Sequence, residues 1–208
     1  MSQVTTPAPV VTGRRAQRKA STRAAITASA QRLIGRRGFD AVTVGDIAVA
    51  AEVSHRTFYR YFSSKEDALL ADFQDFLDDF VALVAARPTD EHPVDSLVRT
   101  LDTIALALPV DADQFNWVYE LVESEPALGG VQHRLLVGAQ DRLTNLFAQR
   151  LGVSPHSLEP RLFASGATAS WQAAVRTWVV LPAEERTMTI WALGREALET
   201  FAQGLRNR

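Results

Sequence analysis

The chain has 208 residues, is 47% hydrophobic and 22% charged, and carries a formal net charge of −2 with no cysteine. That is enough apolar material for one large domain, or for a small domain and a mid-sized one. The lack of cysteine excludes a disulfide framework, a thiolate metal site and a cysteine nucleophile.

Residues 1–17 are rich in Thr, Pro, Ala and Val, then turn basic, and show no periodicity. This composition predicts a disordered arm. Two readings of it stay open: Arg14, Arg15 and Arg18 lie along a DNA minor groove, or the segment is a solvated tail. The basic cluster follows the apolar stretch instead of preceding it, so the segment does not read as a secretory signal. A first helix is expected from Lys19 to Arg37, because Ile26, Ala30, Leu33 and Ile34 share one helical face and Gly38 ends the pattern.

Thr43 is placed to N-cap a second helix, with Asp46 three positions on completing a capping box. Ser54 caps a third helix in the same way, and Ser63 or Ser64 a fourth, with Glu66 and Asp67 at its positive end. Beyond Lys65, helix breakers divide the chain into spans of 65–86, 93–108, 112–124, 128–151, 157–181 and 183–206. The fold class is therefore all-α. A three-helix domain (18–64) precedes a larger helical domain (65–208), with about nine helices in all.

Between Thr43 and Lys65 the spacing of Val44, Ile47, Ala48, Ala51, Val53 and Phe58 suits a helix-turn-helix. Ala48 lets the two helices approach, and Val53 and Phe58 fill the angle between them. The second helix of the pair then turns His55, Arg56, Thr57, Tyr59 and Arg60 away from the core, as a major-groove reader requires. His55 and Arg56 come first and are expected to meet base edges; Thr43 and Ser54 add hydroxyl contacts. Arg60 is open between a phosphate contact and a surface ion pair. Charge is divided in the same sense. Residues 1–65 hold eleven Lys and Arg against three acids, a net +8, whereas residues 66–208 hold eleven Arg against twenty-one acids, a net −10. One end is attracted to polyanions and the other is repelled by them.

The string TRAAITASAQRLIGRRGFDAVTVGDIAVAAEVSHRTFYRYFSSKEDALL, from Thr22 to Leu70, resembles the DNA-binding end of the tetracycline-repressor (TetR) family of transcriptional regulators. Its most specific pieces are RRGFDAVTV, TFYRYF and SKED. The resemblance implies that Thr57, Tyr59 and Lys65 grip the DNA backbone, that the partner is a double-stranded operator, and that the protein is not an enzyme. Two positions depart from the common family pattern, where Gly often stands in place of Glu52 and of Arg56. Glu52 strains the turn if its φ is positive.

The resemblance also implies a homodimer paired through the last two long helices. On them Ala167, Val175, Trp178, Ile190, Leu193, Ala197 and Phe201 are the candidate interface residues; the other reading is internal core. It further implies a cavity for a small-molecule effector, with Phe115, Trp117, Glu120, Arg134, Arg142, Phe147 and Trp171 as candidate ligand-binding residues. Plain core or solvated surface is the alternative for each. The RTFYRYF helix and the Trp-containing eighth helix are similar to the acyl-CoA-responsive, mycofactocin-regulator-like branch, where arginines would meet phosphates and aromatics an acyl chain. A rival reading takes Asp72, Asp75 and Asp79 on one helical face as a divalent-metal site of an all-α enzyme; the other reading is a solvated acidic face. A ligand-independent DNA-binding protein is the second rival. No cofactor is expected, no metal, and no membrane span; a cytoplasmic location follows as the expectation.

Overall fold

The computed structural model describes residues 14–107, 112–186 and 188–206. Its elements in order are α1 (Arg14–Arg37), α2 (Val44–Ala50), α3 (His55–Tyr61), α4 (Lys65–Leu69), α5 (Ala71–Ala85), α6 (Pro93–Ala107), α7 (Ala112–Ser124), α8 (Pro126–Leu151), α9 (Leu158–Val180), a 3-10 turn (Ala183–Glu185) and α10 (Ile190–Arg206). No strand occurs among the described residues. The chain divides into two compact units, Met1–Asp72 and Phe73–Arg208.

The expected boundaries hold at most junctions and shift at three. First, α1 begins at Arg14, so the last four residues of the predicted arm are helical; residues 1–13 lie outside the described residues. Second, the predicted fourth helix is broken at Leu70, where ψ is 14°. Ala68, Leu69, Leu70 and Ala71 are all buried. Four successive residues span a full helical turn, so a straight helix would need apolar surroundings on every side, and a break reorients the chain instead. Third, the predicted last helix is instead a 3-10 turn (Ala183–Glu185) and a separate α10 that begins at Ile190. Arg186 bonds Leu181 O at 3.1 Å and stacks over Trp178 at 4.4 Å, while Thr189 accepts from Ala192 N and restarts the helix as its cap. The expected stop at Leu108-Pro109 lies outside the described residues.

In the first unit α1 supplies Ile26, Ala30 and Ile34, each at most 2% exposed, to a core shared with Ile47, Phe58 and Leu69. Gly38 ends α1 with φ 84°, a left-handed conformation that glycine adopts without strain.

In the second unit α9 packs on α8 and α10, and α10 packs on α6. Phe147 is completely buried and meets Phe163 edge to face, with centroids 6.2 Å apart. Gly166 is required by close packing, because a Cβ there would lie 2.2 Å from the Phe201 ring. The junction of α5, α6 and α8 is tied by charge. Arg87 donates twice to Glu91 at 2.7 and 2.8 Å, Arg99 approaches the same carboxylate at 3.1 Å, and Ser96 donates to it at 3.0 Å. Arg150 from the end of α8 then donates to Ser96 Oγ and to the carbonyls of Val84 and Arg87.

The Arg87 fork, helped by Ser96 and the neighbouring cations, holds the Glu91 carboxyl down at about 2, against an ordinary 4.5. Acid therefore favours the unfolded chain, which takes up this proton more readily. The stabilisation is complete above the ordinary value and is lost as pH falls from 4.5 towards 2. Melting curves should show Glu91→Gln less stable than wild type at pH 7, with the gap closing across that acid window. A constant gap would contradict the assignment.

Candidate DNA-reading face and effector cavity

The helix-turn-helix is fixed by its caps. Thr43 accepts from Asp46 N at 3.2 Å, while Asp46 accepts from Thr43 N at 2.9 Å and from its hydroxyl, the expected capping box. The Thr43 bonds, with Arg37 nearby, lower the Asp46 pKa. Ser54 accepts from Thr57 N at 3.1 Å and its hydroxyl also shares a hydrogen bond with that of Thr57. Ser64 accepts from Asp67 N at 3.1 Å and starts α4. Phe58 is 0% exposed and anchors α3 from beneath, with the rings of Tyr59 and Phe62 beside it. His55, Arg56, Tyr59 and Arg60 are exposed on the same short helix.

Several expected contacts acquire other partners. Thr43 commits both its donors, N–H and O–H, to Asp46, so in this conformation it has none to offer a phosphate. Ser54 and Thr57 share one hydroxyl proton, which leaves a single O–H between them. Lys65 donates to Phe39 O at 2.7 Å and Val42 O at 3.1 Å and sits 4.0 Å above the Phe39 ring. It is first of all a clip on the loop between α1 and α2, with one N–H of its ammonium left over. His55 leans on α2: its Nε2 lies 3.0 Å from where a Cβ on Gly45 would be, so Gly45 makes room for the ring. Arg60 covers the Tyr61 ring at 5.2 Å.

Glu52 has φ 55°, which meets the condition under which it strains the turn. A non-glycine residue there costs about 1–2 kcal/mol, partly offset in a glycine variant by unfolded-state entropy of about 0.5–1 kcal/mol. Glu52→Gly should thus raise the melting temperature of the first unit slightly and tighten DNA binding by removing an anion. Lowered stability would refute the strain.

The second unit holds a partly open apolar cavity of about 50 Å³. Phe76, Phe80, Leu101, Ala167, Thr168 and Trp171 are among its walls. Behind them Trp171 and Trp191 stack with centroids 5.4 Å apart, and Phe76 lies within 5.6 Å of both. Gly194 gives the Trp171 ring its place, since a Cβ there would come within 3.1 Å of it.

Of the seven candidate ligand residues only Trp171 lines this cavity. Phe147 is core, and Phe115 packs edge to face on Trp178. Trp117 is half-buried and Glu120 exposed, neither of them on the cavity wall. Arg134 and Arg142 line a separate outer groove. Phe76 and Phe80 on α5, which line the cavity, and Trp191 on α10, which stacks behind it, were not among the candidates.

The candidate interface residues pack against the core of the single chain. Ala167, Val175, Trp178 and Ile190 are each at most 7% exposed within the single chain, and Phe201 is packed on Gly166. Leu193 and Ala197 are half-buried against the same core. These residues hold α9 and α10 to their own chain. The acidic run is divided too: Asp72 accepts from Gln31 at 2.8 Å and Asp78 pairs with Arg142. Among the described residues no His, Cys, Asp or Glu group is arranged to hold a metal ion, and no helix is long and apolar enough to cross a membrane.

A capped two-helix unit with an exposed polar reading helix, followed by a helical body with a partly open apolar cavity, defines a DNA-binding regulator with a ligand-binding domain. Residues 26–71 match the bacterial regulatory proteins of the tetR family, and residues 91–206 match the MftR C-terminal domain. The chain belongs to the TetR family and is a transcriptional regulator, not an enzyme. It is 28% identical over 173 residues to the HTH-type transcriptional regulator TcmR of Streptomyces glaucescens, covering 80% of this chain and 76% of that one. The fold is shared with the Thermus thermophilus repressor FadR in complex with lauroyl-CoA (TM-score 0.52, 22% identity, 88% of this chain and 94% of that one). It is also shared with SmeT in complex with triclosan (TM-score 0.60, 18% identity, 88% and 91%).

Proposed function

We propose that this regulator is a cytoplasmic repressor that binds a two-fold symmetric operator as a homodimer and leaves it when an anionic amphiphile of the acyl-CoA kind enters the body. The apolar cavity walled by Phe76, Phe80 and Trp171 carries the reading, because those residues put part of its wall on α5. In sequence α5 follows the DNA-binding unit directly. A cavity of about 50 Å³ is far below the ~300–1,000 Å³ of ordinary ligand pockets. A tail that enters must therefore push its walls apart, and α5 is one of them. To take operator occupancy from 99:1 to 1:99 the ligand must favour the released state by about 5.5 kcal/mol. The match to the MftR C-terminal domain and the likeness to a FadR described with lauroyl-CoA support the ligand class.

The dimer uses a different face from the one the sequence suggested. Leu158, Leu162, Ala169, Ala173, Arg176 and Val180 fall on one outward stripe of α9, and Leu158 and Val180 are 71% and 77% exposed. Small residues at its centre let a second copy approach closely, as helix pairs across a two-fold axis require. The test is a gel-shift titration on a genomic fragment selected by the protein, with lauroyl-CoA and palmitoyl-CoA added, alongside the sedimentation mass. The reading expects a complex of two chains per site that either compound dissolves. A single chain per site, or a complex indifferent to every acyl chain length, would refute it.

A further inference from the structure

Outside the apolar cavity, α5 and α8 form a second groove of about 210 Å³. Arg134, Gly138 and Arg142 line its α8 side, and Leu77 and Asp78 its α5 side. Spaced by four, the three α8 residues share one helical face, and the two arginines stand about 12 Å apart along the axis. Gly138 leaves the floor between them bare: a Cβ there would touch nothing within 4 Å. A glycine inside a helix costs about 1 kcal/mol relative to alanine, and here that loss leaves an open seat between two guanidinium groups.

Two further observations connect this groove to the interior. Leu77, 8% exposed, lines both the outer groove and the inner cavity, so it is a partition between them. Asp78 pairs with Arg142, with Oδ1 2.5 Å from Nη1. Both side chains are 45% exposed, so an anion from solvent can compete for the guanidinium. Arginine binds carboxylate and phosphate through the same planar fork.

We propose that the α5–α8 groove is where the effector enters and where its anionic head stays, that Leu77 is the partition its tail displaces, and that Asp78 is a built-in competitor which releases Arg142 when the head arrives. This rests on the amphiphile reading above and adds a site, an entry route and a latch to it. The exchange breaks an α5–α8 tie at the moment the tail opens the cavity, so head and tail act on the same helix. The head is a phosphate or a carboxylate, since either satisfies the same fork.

The test is fluorescence titration of the full chain at ~0.15 M ionic strength, read through the indole of Trp171 in the cavity wall. Lauroyl-CoA, sodium laurate and CoA alone are the probes. Asp78→Asn removes the competitor and should tighten binding of the acylated probe about three- to tenfold, whereas Arg142→Gln should weaken it about tenfold or more. Leu77→Ala should speed entry, and Leu77→Trp should slow it, with circular dichroism confirming the fold of each. Stronger binding of lauroyl-CoA than of laurate assigns the head to phosphate and the reverse to carboxylate; both fit the proposal. If lauroyl-CoA binds wild type but Asp78→Asn binds no more tightly, the latch is refuted while the amphiphile reading stands. If no acylated probe binds wild type, both are refuted.

Discussion

Phe58→Ala is expected to dissolve the helix-turn-helix while sparing the second unit. Phe58 is 0% exposed and supports the recognition helix against α2 and the Phe62 ring. Truncating a buried phenylalanine costs about 3–5 kcal/mol, from the lost transfer energy and the cavity left behind. Small units have total stabilities of about 5–15 kcal/mol, so this is a large share. A seven-residue helix cannot persist in water without such packing. Hydrogen exchange followed by mass spectrometry separates the two units. Amides in residues 26–71 should lose about two to three orders of magnitude of protection, as each 1.4 kcal/mol is tenfold. Those in residues 91–206 should keep theirs. Unchanged protection in the first segment would show that Phe58 is not its anchor.

The second large effect concerns specificity and leaves stability alone. Arg56 is exposed in the first turn of α3, so its loss should move the melting temperature little. A guanidinium bonded to guanine O6 and N7 contributes about 1–3 kcal/mol of discrimination at one base pair. Arg56→Ala removes one such contact from each half-site, about 2–6 kcal/mol in all, so it should bind the selected operator about 30- to 25,000-fold more weakly and lose its preference at one position in each half-site. Binding to random duplex should change far less. Arg60→Ala is the control, because a phosphate contact at Arg60 would weaken all sequences alike and lower the salt slope by about one. If Arg56→Ala behaves in the Arg60 manner, Arg56 does not read bases.

The local grammar of the first unit was legible because it depends on neighbours in sequence. Thr43, Ser54 and Ser64 cap helices at the expected residues, Gly38 stops α1 at φ 84°, and Glu52 takes the positive φ that a glycine-favouring position implies. What spacing cannot show is which partner consumes a donor. Thr43 and Lys65 read as phosphate ligands from their places in the chain, which do not show that Thr43 donates to Asp46, or that Lys65 donates to Phe39 O and Val42 O and keeps one N–H. The same limit applies to faces. Periodicity marks Ala167, Val175 and Trp178 as apolar but not which body covers them, and their own chain does. The outward stripe from Leu158 to Val180 is weaker in hydrophobicity and escaped notice for that reason. The cavity was half legible: Trp171 was found, whereas Phe76 and Trp191 come to it only because α5, α9 and α10 meet.

The central claim is that α3 reads duplex sequence, and competition binding tests it most directly. Fragments selected from genomic DNA by the protein are labelled, and unlabelled selected or scrambled duplex is titrated against them at ~0.15 M salt. A sequence reader predicts that scrambled duplex competes about 10³-fold or more less effectively. Equal competition by the two duplexes would contradict the account.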